Sequence, residues 1–170
     1  MGIFLVSTDF ATGDILLSQN DSQEINIQVT IDRMEVDILQ DLFGSELYDL
    51  FISDLAGTPE IPTTERFTDV FEPFLKDEDC PRLKSDGILR MLKRFIWAEH
   101  VRNQPASNTA VGMVQSVEQN SKHLTPAQYG WSPKYNEAVY TYSAIQAFMI
   151  RESDIYPEFK GICKDLSGVI

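Results

Sequence analysis

Residues 85–105, SDGILRMLKRFIWAEHVRNQP, decide the fold class. Ile88, Met91, Leu92, Phe95 and Ile96 recur three and four positions apart, the spacing that lines one face of an α-helix. Arg90, Lys93 and Arg94 fall on the other side, and Ser85 or Asp86 is the expected cap. Asn103-Gln104-Pro105 ends the helix. Moving toward the C-terminus, Ser132-Pro133 reads as an N-cap followed by proline at the first helical position. Tyr135, Ala138, Val139, Tyr142, Ile145 and Met149 then mark the buried face of a last helix running to about Glu152. Tyr156-Pro157 breaks the pattern, and residues 156–170 are expected to form a tail.

Toward the N-terminus, Phe67, Val70, Phe71, Phe74 and Leu75 predict a helix around 64–75, which Pro73 should kink or end early. Leu47, Leu50, Phe51 and Leu55 predict another, capped by Ser45 and stopped at Gly57-Thr58-Pro59. Ile31, Met34, Ile38 and Leu42 predict the first, capped by Thr30 and interrupted at Gly44. Ile25, Ile27 and Val29 alternate with polar residues, a strand signal, so 1–30 is expected to be an extended arm or a pair of short strands. Residues 105–130 lose helical spacing and are rich in Asn, Ser, Gln and Thr. A polar stretch of that length predicts a protruding loop or β-hairpin. The expectation is therefore a mainly α domain of about five helices over 31–155, with an arm, an insertion and a tail.

A chain of 170 residues fits one domain able to bury its own core. Its charge is unevenly spread. Residues 1–80 carry 18 acidic and three basic side chains, a local charge of −15, whereas 81–170 carry +3. An acidic balance argues against tight nucleic-acid binding, which needs a basic footprint. Against this background, Arg82, Lys84, Arg90, Lys93, Arg94 and Arg102 are opposed locally only by Asp86 and Glu99. On a helix, Arg90, Lys93, Arg94 and Trp97 are neighbours on one face. That face is either a solvated helix surface or a docking surface for an acidic partner, including the acidic half of another copy. If Arg94 makes such a contact, reversing its charge should weaken assembly more at low salt than at high salt.

Chemistry-bearing motifs are sparse. His100 and His123 sit in no metal-ligand spacing, and Cys80 and Cys163 form neither a Cys-x-x-Cys nor a disulfide framework. No phosphate loop, dinucleotide fingerprint or nucleophile elbow occurs. Asp77-Glu78-Asp79 lacks the ligand pattern of a calcium loop and reads as a solvated turn. No catalytic residue, metal or cofactor is expected. Neither a secretory signal nor an apolar run of about 18–20 residues is present, so no membrane association is expected.

Several segments in order resemble one family. They are Asp41-Leu-Phe-Gly44 with Glu46-Leu-Tyr-Asp-Leu-Phe-Ile-Ser-Asp-Leu55, then Arg66-Phe-Thr-Asp-Val-Phe-Glu-Pro-Phe74 and Met91-Leu-Lys-Arg-Phe-Ile-Trp-Ala-Glu-His-Val-Arg-Asn-Gln-Pro105. Asn108-Thr-Ala-Val-Gly112 with Glu118-Gln-Asn-Ser121 follows, then Tyr135-Asn-Glu-Ala-Val, Tyr142-Ser-Ala-Ile-Gln146 and Tyr156-Pro-Glu-Phe-Lys-Gly161. The set resembles the head–tail connector, or neck ring, proteins of crAss-like phages and related phages of gut Bacteroidales. The specificity lies in the ordered set, over residues 9–161, and not in any single piece. The resemblance implies a helical adaptor in the virion neck and a homo-oligomeric ring of twelve copies beneath the portal protein. It implies contacts to tail or other neck proteins, and genomic DNA passing through without sequence-specific binding. It lends no catalytic residue.

Extended segments suit a ring subunit, since they order on contact with neighbours. Asn108, Val111, Met113, Val114 and Val117 are the expected loop contacts, and Arg90, Lys93, Arg94 and Trp97 the expected helix-face contacts. Alternatives are a tail-terminator or head-completion protein, or a host-directed acidic protein that mimics nucleic acid. A hydrolase with an unrecognised carboxylate pair is the remaining rival.

Overall fold

A computed structural model describes residues 2–11, 15, 21–57, 60–76, 82–103, 107–109, 112–114 and 131–161. The described residues are mainly helical, as the apolar spacing predicts. A 3-10 turn at Ser7–Ala11 leads to α1 (Asp21–Phe43) and α2 (Ser45–Ser53). A minimal ribbon of β1 (Leu55–Ala56) and β2 (Ile61–Pro62) precedes α3 (Glu65–Phe71). A second ribbon, β3 (Phe74–Lys76) with β4 (Leu83–Ser85), precedes α4 (Ile88–Asn103). A third, β5 (Ser107–Thr109) with β6 (Gly112–Val114), lies between α4 and α5 (Trp131–Arg151). All three ribbons are antiparallel.

The first helix begins ten residues earlier than the sequence suggests. Thr30 is not a cap but an interior residue, and its hydroxyl donates to the Asn26 carbonyl at 3.1 Å. The buried stripe of α1 is Ile27, Ile31, Glu35, Leu39 and Leu42, four, four, four and three positions apart. Ile27 therefore belongs to a helical series and not to an alternating one. Val29, the other half of the apparent strand, stands 64% exposed. Met34 and Ile38 flank the stripe half-buried. The arm expected over 1–30 thus gives way to a docked N-terminal segment and a helix.

The α1–α2 corner turns on Gly44, whose φ of +74° lies in the left-handed region open to glycine. The last carbonyls of α1 are accounted for by other elements. The Tyr142 hydroxyl donates to the Asp41 carbonyl at 2.8 Å, and Gln146 Nε2 to the Leu42 carbonyl at 3.4 Å. These bonds explain why Gln146 is buried on an apolar helix face.

Pro73 ends α3 at Phe71 instead of kinking it. Phe74 then enters β3 and stacks on Phe148 of α5 at 5.1 Å. Leu83 and Ser85 face the core from β4, while Leu75 and Lys76 stay exposed. At the start of α4, neither Ser85 nor Asp86 caps. The Gly87 carbonyl accepts the Met91 N–H at 3.1 Å, and Ser85 Oγ accepts the Gly87 N–H at 3.1 Å. Gly87 has φ +87°, and a Cβ there would meet the Phe71 carbonyl at 2.9 Å. Only glycine fits that crossing without strain.

Helix α4 is the hub, packing most extensively on α5 and next on α1. A chain of rings, Phe43–Phe51 at 4.8 Å and Phe51–Phe67 at 5.4 Å, ties α1, α2 and α3 together. Phe4 joins it from the N-terminal segment, 5.9 Å from Phe51 and 5.4 Å from Phe71.

The tail expected over 156–170 begins with a docked strap. Tyr156 is buried, packs on Phe148 at 6.1 Å, and donates its hydroxyl to the Arg66 carbonyl. Arg66 pairs with Glu158 at 3.3 Å, and Lys160 with Glu46 at 3.0 Å. Burial pushes the Tyr156 phenol far above its ordinary range, so it stays a neutral donor. Tyr156→Phe is expected to lose about 1 kcal/mol in urea unfolding and to speed amide exchange over 156–161. An unchanged unfolding midpoint would show that ring packing alone holds the strap. Residues 162–170 lie outside the described residues.

Candidate interaction site

The four helix-face residues singled out from the sequence do not form one surface. Arg90 is exposed. Lys93 is half-buried, its ammonium 5.6 Å from the centroid of the Phe10 ring, so the N-terminal segment covers it. Trp97 is half-buried against the core, with its Nε1 buried. Arg94 is only 5% exposed. Its Nη1 lies 2.6 Å from Asp86 Oδ2 and its Nη2 3.0 Å from Glu137 Oε2 on α5. Donation from Arg94 holds the Asp86 carboxyl below its usual range. Arg94 is therefore an internal tie between α4, α5 and the turn before α4, not a docking charge. The reason is packing on two sides: α5 covers one flank of the expected polar face and Phe10 another.

The exposed basic surface that remains is smaller. It includes Arg82 just before β4, Lys84 on β4 and Arg90 on α4, with Leu89 exposed beside Arg90, while the exposed Arg102 lies near the far end of α4 beside Glu99. Lys84 reaches Asp86 at 3.7 Å but stays largely in solvent.

Of the loop contacts, Asn108 lies in β5 and Met113 and Val114 in β6. Asn108 is the register partner of Met113, and Ser107 of Val114, so this part of the insertion is a hairpin. Val111 and Val117 lie outside the described residues, as do Cys80, Cys163, His123 and the Asp77–Asp79 turn. His100 is buried in α4, and burial holds its imidazole below the ordinary value. Among the described residues no three His, Cys, Asp or Glu side chains converge on a metal position, and no helix is long and apolar enough to cross a membrane.

The feature that sequence reasoning missed is a groove of about 370 Å³ between α1, α4 and α5. Its apolar lining is Met34, Ile38, Phe95, Tyr135 and Tyr142. Phe95 meets Tyr135 edge-on at 5.3 Å and Tyr142 at 6.3 Å, so three aromatic rings form one wall. The rim holds Arg33, Asp37, Asp41, Glu99 and Arg102. Glu99 already has two arginine partners, Arg102 at 2.6 Å and Arg33 at 3.7 Å. Asp37 and Asp41 lie in the last two turns of α1, and no basic residue lies in its last turn. The negative end of the helix dipole and two carboxylates thus coincide at one end of the groove. Met34 and Ile38 were legible as apolar, but only the true phase of the α1 stripe places them at its edge. Compared with family models, curated proteins and solved structures, the chain matches none of them.

Proposed function

We propose that this chain is a non-enzymatic head–tail connector subunit of a tailed bacteriophage, which forms a homo-oligomeric ring below the portal protein and joins it to tail proteins. One observation carries the reading beyond the ordered resemblance itself. The resembling segments brace one another in space. Tyr142 and Gln146 bond to Asp41 and Leu42 at the α1–α2 corner, Tyr156 bonds to Arg66, and Lys160 pairs with Glu46. These contacts make the segments one packed unit, which is what a rigid adaptor body requires. An adaptor also needs a rigid body with unlike surfaces, and this one carries an acidic α1–α2 side and exposed basic residues at Arg82, Lys84 and Arg90.

The test is the molar mass, by light scattering after size exclusion, of the protein alone and mixed with the portal protein of the same phage. Co-migration with the portal at fixed stoichiometry is the expected result. No association at any salt concentration overturns portal binding and favours a ring further down the neck. Absence from purified virions would favour the host-directed acidic binder instead.

A further inference from the structure

We propose that the open face of α5 is a self-association surface, on which two copies of the chain pair antiparallel about a two-fold axis at position 145. Helix α5 turns most of its circumference to α4, β4 and α1. Its exposed residues ahead of Arg151 are Pro133, Asn136, Tyr140, Ser143 and Ile150, and the half-buried Ala147 lies in line with them. Their spacing alternates between three and four, which draws one narrow stripe along the helix. A stripe of that width is a pairing seam for one further helix, not the broad face of a core helix. No residue in it is charged, whereas the outer side of α1 exposes Asp32, Arg33 and Asp37. Tyr140, at 75%, is the most exposed large apolar side chain among the described residues, and Ile150 stands 48% exposed.

The order of residues along the stripe identifies its occupant. Tyr140 and Ile150 lie five positions either side of 145, and Ser143 and Ala147 two positions either side. Laid antiparallel on a second copy, Tyr140 therefore meets Ile150 and Ser143 meets Ala147, each layer occurring twice. An interface in which one residue meets another and the second meets the first is the isologous kind. Small residues in the middle let the two axes come within about 8–10 Å, which brings the large outer layers into contact. Charge selects the same direction. Glu137 and Arg151 flank the seam fourteen positions, or two heptads, apart. A parallel pair would set like charges side by side, whereas the antiparallel pair sets each Arg151 beside the other copy's Glu137. These flanks are in water and screened, so they fix direction more than affinity. Two chains of net charge −12 also repel least along an uncharged stripe. The contact is smaller than a standard interface, so the pair is weak, with a Kd of roughly tens of micromolar. An isologous pair closes on itself and builds no ring, so the inference concerns the free subunit and does not rest on the connector reading.

The experiment is sedimentation velocity on the full chain and two variants, Tyr140→Lys and Ile150→Glu, from about 1 μM to about 1 mM at low and high salt. Both substitutions are at exposed positions, and circular dichroism confirms folding. The wild type is expected to reach a dimer and stop there, at both salt concentrations, because the seam is uncharged. Each variant is expected to dimerise about tenfold or more weakly, since a charge then faces an apolar side chain. The mixture reads the register. In an antiparallel pair of unlike variants, the new lysine faces the new glutamate in one outer layer, and the other outer layer stays native. The mixed pair should therefore form about fivefold or more tightly than either variant's own dimer. Wild type that stays monomeric up to about 1 mM or assembles past the dimer, variants that dimerise like wild type, or a mixture that associates no better than its components would each overturn the proposal. No portal protein is present, so either this inference or portal binding can fail while the other stands.

Discussion

Arg94→Ala is expected to lower stability by about 2–3 kcal/mol, less than the cost of breaking a fully buried pair because Glu137 is 42% exposed and both carboxylates keep a lysine neighbour. The loss has two sources. Removing the guanidinium takes the closest cation from Asp86 and Glu137, at 2.6 and 3.0 Å, and leaves each with a lysine only, Lys84 at 3.7 Å and Lys134 at 3.3 Å. Removing the stem also opens space between α4 and α5, the most extensive helix contact in the protein. Arg94→Met separates the two. It restores most of the packing while leaving the carboxylates with their lysine neighbours alone, so it should fall between wild type and Arg94→Ala. Adding Asp86→Asn to Arg94→Met should recover part of the deficit, since a carboxylate that has lost its closest cation is then gone.

The pH dependence follows from Asp86. Arg94 holds its folded-state pKa below the unfolded value, so the contribution is present above the usual aspartate range and lost as pH falls through the lowered value. The gap between wild type and Arg94→Ala should therefore narrow on acidification. Added salt should leave most of the gap, because a buried pair is little screened. Urea unfolding at several pH values and two salt concentrations reads all of this. A deficit under about 1 kcal/mol that vanishes in salt would mark Arg94 as the exposed charge its helix-wheel position suggests.

Arg94 and Glu35 show where sequence patterns carry the fold and where they stop. Helices α2 to α5 are legible because their apolar residues recur at helical spacing next to proline and glycine stops. The ribbons are not. Strands of two or three residues, such as Leu55–Ala56 and Leu83–Ser85, are too short for any periodicity to register. The start of α1 fails because Ile25, Ile27 and Val29 fit alternation, whereas membership of Ile27 in a series with Ile31 becomes visible only when Glu35 is accepted as its next member. A carboxylate is ordinarily counted as a surface residue, which hides the series. The groove was illegible for a related reason. It needs the phase of α1 fixed and three helices assembled, and neither follows from one-dimensional spacing. Arg94 has a local acidic partner, Asp86, eight positions away, but its other partner belongs to α5.

Glu35→Ala is the second large effect, about 3–5 kcal/mol, and it should release the N-terminal segment. Glu35 is fully buried. Its two oxygens accept the backbone N–H groups of Ile3, Phe4 and Leu5, the latter two at 2.9 and 3.2 Å. Gly2 packs so close that a Cβ would meet Glu35 Oε2 and the Ile31 side chain, both at 2.6 Å. Alanine at 35 leaves three amides without acceptors, at about 1–3 kcal/mol for a buried group. The alternative is undocking of residues 2–11, which forfeits the burial of Leu5 and Phe10 and the rings that Phe4 contacts. Either route destabilises, and faster amide exchange at Ile3–Leu5 distinguishes undocking from strain. Glu35→Gln keeps the shape but turns one acceptor into a donor, so its cost should be intermediate.

The variation of that cost with pH sets two forces against each other. Burial raises the Glu35 pKa, while the three N–H donors favour the charged form and lower it, and burial wins. A carboxyl raised in the folded state binds more protons there than when unfolded. Its contribution is full below the ordinary glutamate value and is lost as pH rises through the raised one. Wild type should therefore lose stability over that window while Glu35→Gln does not, and the gap between them should shrink toward neutral pH. A gap that widens instead would mean that the three amides outweigh burial and that Glu35 is a carboxylate in the folded protein.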